Sequence, residues 1–294
     1  MAQSTFPDGQ AAIAERNALF NRYLSVTVGA LRWESIRATF KVRKSYRKNP
    51  NPAEVVLYNL SDHARNGVVN RGTQVVVNAG YVGNSGTLYT GQIVGVDHKR
   101  EGTEWISTLT LRDGDAAWLS YSSRSYATGT PRLTIVSALA ADMGYTLNSD
   151  AQALISTYGS TRTGIVTHGH SYAEMDDQLR PLGLAWSIQD GQLQIMTAGG
   201  GTTESAILLT PRTGLLYVPE RMEQYHKPNS KKKGKPFQIK VKSLLQTGIR
   251  PGRQVRVESE EFTGDYICLT VEHHGDTHGN DWISECELQE VYGG

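Results

Sequence analysis

Cysteine is scarce. The 294 residues hold two, Cys268 and Cys286, too few for a disulfide framework and not at zinc-ligand spacing. Both read as small buried hydrophobes. An excess of one charge is also missing: 30 Lys and Arg stand against 29 Asp and Glu, a formal net charge of +1. That balance argues against a dedicated nucleic-acid binder. No apolar run approaches the length that spans a bilayer. Met1 to Gln10 is polar, carries Pro7, Asp8 and Gly9, and lacks the basic and apolar regions of a secretory signal. The expectation is a protein made and assembled in a cytosol, with no membrane insertion by itself.

Catalytic signatures are lacking too. There is no Gly-X-Ser-X-Gly elbow, phosphate loop or dinucleotide fingerprint. Glu174, Asp176 and Asp177 are close in sequence, but on a helix they point in different directions. They supply no pair of carboxylates on opposite sides of a sugar cleft. His273, His274, Asp276 and His278 carry metal-ligand chemistry, and His274, Asp276 and His278 are the weak metal candidates. Their spacing fits no zinc signature, and the matching turn His98-Lys99-Arg100-Glu101 would not bind a metal. A hairpin turn held by Asp and Gly is the reading preferred. The chain is expected to be no enzyme, with no catalytic residue, cofactor or metal.

What is present is strand sequence. Thirty Gly (30 of 294) and 14 Tyr favour strands and turns over long helices. After an arm over 1–22, with helical character from Ala11 to Phe20, runs rich in Val, Ile, Thr and Tyr follow. They cover Tyr23 to Val28, Ile36 to Ser45, Ala53 to Tyr58, Thr73 to Ala79, Leu88 to His98 and Trp105 to Arg112. Asn49-Pro50-Asn51-Pro52 is a turn between two of them. So many strands in so short a stretch predict a sandwich or barrel over 23–118.

The middle, 119–205, changes period. Thr130-Pro131 reads as an N-cap with proline at the first helical position, and Leu133, Val136, Leu139, Ala140 and Met143 recur at helical spacing before Gly144. Ser171 and Glu174 have capping-box spacing ahead of Met175, Leu179 and Leu182. Leu184, Trp186 and Ile188 alternate, Asp190-Gly191 signals a hairpin, and Leu193 and Ile195 return. This is a small α+β domain, followed by a connector at Gly199-Gly200-Gly201. Lys227 to Pro236 reads as a solvated loop rather than a DNA contact. Strands resume at Phe237 to Ser243, Gln254 to Glu258, Tyr266 to His273 and Trp282 to Tyr292.

The last part, 206–294, repeats the first. Gly72-Thr73-Gln74-Val75-Val76-Val77 matches Gly252-Arg253-Gln254-Val255-Arg256-Val257. Tyr89-Thr90-Gly91 matches Phe262-Thr263-Gly264, and Val96-Asp97-His98 matches Val271-Glu272-His273. Glu104-Trp105-Ile106-Ser107 matches Asp281-Trp282-Ile283-Ser284, and Leu109-Thr110-Leu111 falls over Cys286-Glu287-Leu288. The order is kept. The period is too long for a solenoid and indicates a duplicated domain interrupted by the α+β insert. Gly91 and Gly264 are expected to allow a bulge or sharp bend. The fold class is therefore mainly β with an α+β insert: two related β-barrel (tube-like) domains flanking a small α+β domain.

Asn59-Leu60-Ser61, Ala79-Gly80-Tyr81 and Gly91-Gln92-Ile93 resemble the first tube domain of phage baseplate (tail) hub proteins. Lys242-Ser243-Leu244-Leu245, Ile249-Arg250-Pro251-Gly252 and His274-Gly275-Asp276-Thr277-His278-Gly279 before Trp282 carry the resemblance further. The hub portion of type VI secretion spike proteins is related. The resemblance implies a homotrimer with two tube-like barrels per chain, six around a channel, between a sixfold tail tube protein and a threefold central spike protein. It implies further partners in the baseplate wedge and the tape measure protein, DNA only passing through the channel, and a spike on a separate polypeptide. The implied location is the tail baseplate of the virion, assembled in the host cytoplasm. A carbohydrate-binding or adhesin-like tail-tip protein and a peptidoglycan hydrolase are the alternatives.

Overall fold

Alternation of buried and exposed residues dictates the first half of the molecule. Val26, Val28, Val55, Leu57, Val75, Val77, Leu109 and Leu111 are fully buried, and their neighbours in sequence face the other way. The computed structural model describes residues 19–45, 50–197, 200–202, 204–222 and 237–291. The helical character of the arm, Gly199 of the connector and the lysine-rich stretch lie outside the described residues.

Seven strands open the chain: β1 (Arg22–Val28), β2 (Leu31–Trp33), β3 (Ala38–Ser45), β4 (Pro52–Tyr58), β5 (Gln74–Tyr81), β6 (Asn84–Glu101) and β7 (Glu104–Arg112). Then come α1 (Asp115–Leu119), β8 (Tyr121–Tyr126), α2 (Arg132–Asp142), α3 (Ser149–Ser156), β9 (Ile165–His170), α4 (Ser171–Leu179), β10 (Leu184–Gln189) and β11 (Gln192–Thr197). The last part holds β12 (Ile207–Leu209), β13 (Glu220–Arg221), β14 (Gln238–Leu244), β15 (Gln254–Glu258), β16 (Thr263–Asp276) and β17 (Trp282–Glu290). No helix among the described residues is long and apolar enough to cross a membrane.

The protein is mainly β, and one 13-stranded sheet takes strands from both ends of the chain. Its path runs β13-β14-β17-β16-β3-β4-β7-β6-β5-β1-β2, with β15 and then β12 branching from β16. The expected pair of barrels is corrected here: among the described residues the strands form an open sheet and no closed barrel. The reason lies in β3. Its outer edge is taken by β16, from Thr270↔Ser45 to Asp276↔Thr39, so β3 does not return to β6 to close a ring of its own.

Buried side chains form three clusters. One lies under β1 and β3–β7 and one under β14–β17, while a third collects the residues of the middle region. Trp282 and Leu245, from the last part of the chain, belong to the first of these. In the middle region, α2 buries Ile135, Val136, Leu139 and Ala140, and α4 buries Met175 and Leu179. Pro131, not Thr130, sits at the N-cap of α2 (φ −57°, ψ 134°), so the helix starts one residue later than expected, and the cap has no side-chain bond. The capping box at Ser171 does not form: Ser171 is already helical, and the Glu174 carboxylate accepts from the His168 N–H (3.0 Å). Asp190 and Gly191, at φ +53° and +79°, make the tight turn between β10 and β11. Helix α3, capped by Asn148 Oδ1 accepting from Ala151 N–H (2.8 Å), was not expected from the sequence.

Candidate functional site

The two hairpins β6–β7 and β16–β17 carry the same ladder. His98 stands opposite Ser107 and His273 opposite Ser284. In each pair the imidazole Nδ1 meets the serine hydroxyl, at 2.9 Å and 2.8 Å. Each ladder slips by one residue at the same place. The shift falls between Ile93 and Gly95 in β6 and between Cys268 and Thr270 in β16, facing Leu111-Thr110 and Leu288-Glu287. The turns that lead in also coincide: Gly72 N–H donates to Ile93 C=O (2.7 Å) and Gly252 N–H to Cys268 C=O (2.8 Å). Gly72 and Gly252 hold φ of +87° and +83°, a region that favours glycine. Trp105 and Trp282 occupy the same rung, opposite Arg100 and Gly275.

One pairing differs from the sequence alignment. Gly91 faces Val75 on β5, whereas Gly264 faces Val257 on β15, two residues further along the matched strand. Tyrosine and glycine have exchanged places: Tyr89 stands opposite Val77, and Tyr266 opposite Val255. A Cβ on Gly91 would lie 2.7 Å from the Tyr89 ring, and one on Gly264 would lie 3.4 Å from the Tyr266 ring. Both glycines are overlain by an aromatic ring from their own strand, and the slips occur beyond them. Neither glycine is the bulge.

The two units meet at the β3–β16 junction, with β3 and β4 standing between the hairpins. Lys41 Nζ bridges to Glu272 across it (2.9 Å). Phe40 packs edge-on against Trp282, with ring centroids 5.4 Å apart, and Trp282 Nε1 donates to Gly80 C=O (3.1 Å). Thr277 extends the pairing, its hydroxyl accepting from Ala38 N–H (3.0 Å). Further along β3, on the buried face that carries Phe40, Lys44 is buried and its Nζ lies 2.6 Å from both carboxylate oxygens of Asp190. Asn51 joins this group, donating to Ile188 C=O (3.0 Å) and to Asp113 (3.3 Å). Burial pushes the Asp113 carboxyl up to about 7, the Asn51 hydrogen bond opposing it, and burial holds the Lys44 ammonium below its usual range. This buried polar cluster ties the β10–β11 turn to the first hairpin unit.

The sequence candidates for chemistry are dispersed. Strand alternation puts His273 inside and His274 on the opposite face, where it meets Glu272 (2.9 Å). Burial, then the Lys44 charge, hold His273 down to about 3, so it is neutral. Asp276 accepts from the His278 N–H (2.8 Å), an Asx-type turn. Among the described residues no three His, Cys, Asp or Glu are placed to hold a metal ion. The three helical carboxylates diverge. Glu174 bonds His168, Asp176 accepts from Trp186 Nε1 (2.7 Å), and Asp177 pairs with Arg180 (3.0 Å). Cys268 and Cys286 are buried and free.

Neither a family model nor a curated protein matches the sequence. Solved structures do match the fold. The 43 kDa tail protein of prophage MuSo2 from Shewanella oneidensis superposes with a TM-score of 0.64 at 9% identity, over 91% of this chain and 98% of that one. The chain has the fold of a phage tail protein. A tail protein from Neisseria meningitidis MC58 shares the tail-protein fold with a TM-score of 0.63 at 13% identity, over 92% and 97% of the two chains. A component of the type VI secretion system of E. coli matches at 0.59 and 12% identity, over 90% of this chain and 76% of that one. The tail-protein fold thus embraces both hairpin units and the middle region, since each match covers nine-tenths of the chain.

Proposed function

We propose that the chain is a structural baseplate hub of a phage tail. Three copies form a ring with six hairpin units in pseudo-sixfold order, joining a sixfold tail tube protein on one face to a threefold central spike protein on the other. The observation that carries this reading is the shared ladder of β6–β7 and β16–β17, together with the junction that sets the two units side by side in one sheet. A chain that already contains two neighbouring units needs only three copies for six positions, and a head-to-tail contact that closes gives a ring. The tail-protein fold supports the same reading.

The units correspond to 23–118 and 206–294, and the α+β middle, 119–205, lies outside the ring, where wedge and tape measure proteins are its candidate partners. The separate core of the middle region supports that division. DNA passes through the channel without being read. The location is the virion tail baseplate, after assembly in the host cytoplasm. A non-enzymatic role is supported by the divergence of Glu174, Asp176 and Asp177, each engaged elsewhere.

One observation favours a second reading, sugar binding at the tail tip. Tyr121 is half exposed, with His168 edge-on at 5.5 Å and His170 at 6.2 Å, and His170 stacks on Tyr172 at 5.5 Å. Exposed rings of this kind suit stacking on a sugar face. Mass measurement and a glycan-binding assay on the purified chain separate the readings. A three-chain particle without sugar affinity supports the hub, whereas a monomer whose glycan binding disappears in Tyr121→Ala supports the adhesin. Lysis of peptidoglycan that is lost in Glu174→Gln would favour a hydrolase.

A further inference from the structure

The internal match between the two units identifies two sheet edges that lack a strand among the described residues. Strand β16 is shared along its length: Thr263 to Ile267 pair with β15, and Thr270 to Asp276 pair with β3. The matching stretch of β6, Gly95 to Glu101, pairs with β7 on one side and with nothing described on the other. At the opposite end of the sheet, β13 stands where β3 stands in the first unit. Ala53 and Ile239 occupy one rung, opposite Leu111 and Leu288, and they are faced in turn by Val42 and Arg221. On the next rung Lys41 faces Glu54 and Glu220 faces Lys240. Among the described residues, the outer side of β13 is the end of the sheet.

We propose that the β13 edge of one chain pairs antiparallel with the Gly95–Glu101 edge of a second copy. That seam repeats between chains the β3–β16 junction found within the chain. The proposal rests on the ring reading above and specifies where the ring is sewn. The contact is heterologous, each copy offering one edge and receiving the other, so it propagates around a circle rather than ending at a pair.

Register follows from the internal junction. There Lys41 stands opposite His274 and Val42 opposite His273. Carried to the seam, Glu220 stands opposite the partner's Lys99, and Arg221 opposite the partner's His98. Opposite charges on directly facing strand positions attract; inside the chain the ion pair across the junction is diagonal, Lys41 reaching Glu272 two positions along β16 from His274, which it faces. The residues leading into β13 point the same way. Leu216, Tyr217 and Val218 are 39%, 67% and 48% exposed, an apolar run at a sheet edge that solitary proteins usually blunt with charge.

Cysteine pairing tests the seam on the full chain. Lys99→Cys with Glu220→Cys is expected to oxidise into two- and three-chain bands on a denaturing gel, ending at three. Lys99→Cys with Arg221→Cys places the second thiol on the other face of β13 and stays at the background of the single variants. The native Cys268 and Cys286 are buried and do not compete. A particle of three chains by mass in which the first pair fails to cross-link overturns the seam and leaves the ring reading standing. A chain that stays monomeric at assembly concentrations overturns both. Charge reversal is the second test. Glu220→Lys weakens assembly by about fivefold per seam, and adding Lys99→Glu restores it. Two losses that simply add overturn the pairing.

Discussion

Nδ1 of His273 lies 2.8 Å from the hydroxyl of Ser284, and the imidazole is wholly buried. The ring is therefore held neutral, with its acidity shifted to about 3 by burial first and the Lys44 charge second. In the unfolded chain it would protonate from 6.5 downward, so this residue removes stability as pH falls from 6.5 toward 3. Asp113 has the opposite sign. Burial raises it from 3.8 to about 7, so it removes stability as pH rises through that interval. Between about pH 4 and 6.5 the two slopes, each about 1.4 kcal/mol per pH unit, oppose one another. Urea denaturation at several pH values checks this. Relative to the parent, Asp113→Asn gains stability as pH rises across that window, and His273→Asn gains it as pH falls.

Lys44 and Asp190 form the buried ion pair that ties the middle region to β3. Lys44→Ala leaves two carboxylates, Asp190 and Asp113, without their buried cation and costs on the order of 3–5 kcal/mol. Lys44→Met combined with Asp190→Asn removes both charges and recovers most of that loss, because Asn tolerates the left-handed conformation at the turn. Thermal unfolding of the two variants gives the comparison.

Gly275 and Gly72 require glycine for different reasons, and alanine distinguishes them. A Cβ at Gly275 would lie 2.2 Å from the Phe40 ring and 2.9 Å from Trp282, so Gly275→Ala costs about 3 kcal/mol by displacing the junction. Gly72 has open space around its missing Cβ but φ of +87°, so Gly72→Ala costs about 1 kcal/mol from the backbone alone. Differential scanning calorimetry resolves the difference.

Trp282 and Trp105 share a rung but not a setting. Trp282 is buried in the core of the other unit, beneath Arg22, and Trp282→Ala costs about 3–5 kcal/mol. Trp105 is half-buried under the Arg65 guanidinium, at 4.1 Å, so Trp105→Ala costs about 1–2 kcal/mol. Equal losses in equilibrium unfolding would show that the rung, and not the packing, sets the energy.

Long alternating runs were legible in the sequence because burial on one face leaves a period of two. β3, β4, β7 and β17 fall within a few residues of their expected places. Short or polar strands left no such trace. β2 spans Leu31 to Trp33, and β8, Tyr121 to Tyr126, is largely serine and arginine between tyrosines. The Asn148-Ser149-Asp150 start of α3 carried a cap signal that the apolar spacing alone did not reveal. The repeat was readable at His98 and His273, where each residue contacts its own hairpin. The exchange of Tyr89-Gly91 for Gly264-Tyr266 misled the alignment, since either order lets a ring cover a glycine. The β3–β16 junction and the Lys44–Asp190 pair join segments far apart in the chain, and no local pattern encodes their register.

Rotational analysis of electron-microscope top views of the purified chain tests whether three copies make a pseudo-sixfold ring. The expected particle is a ring around a central hole whose strongest rotational order is sixfold at low resolution, reduced to threefold once the middle regions are resolved, with a mass three times the 32.3 kDa of one chain. Particles with no ring, or a ring whose order is neither three nor six, would contradict it.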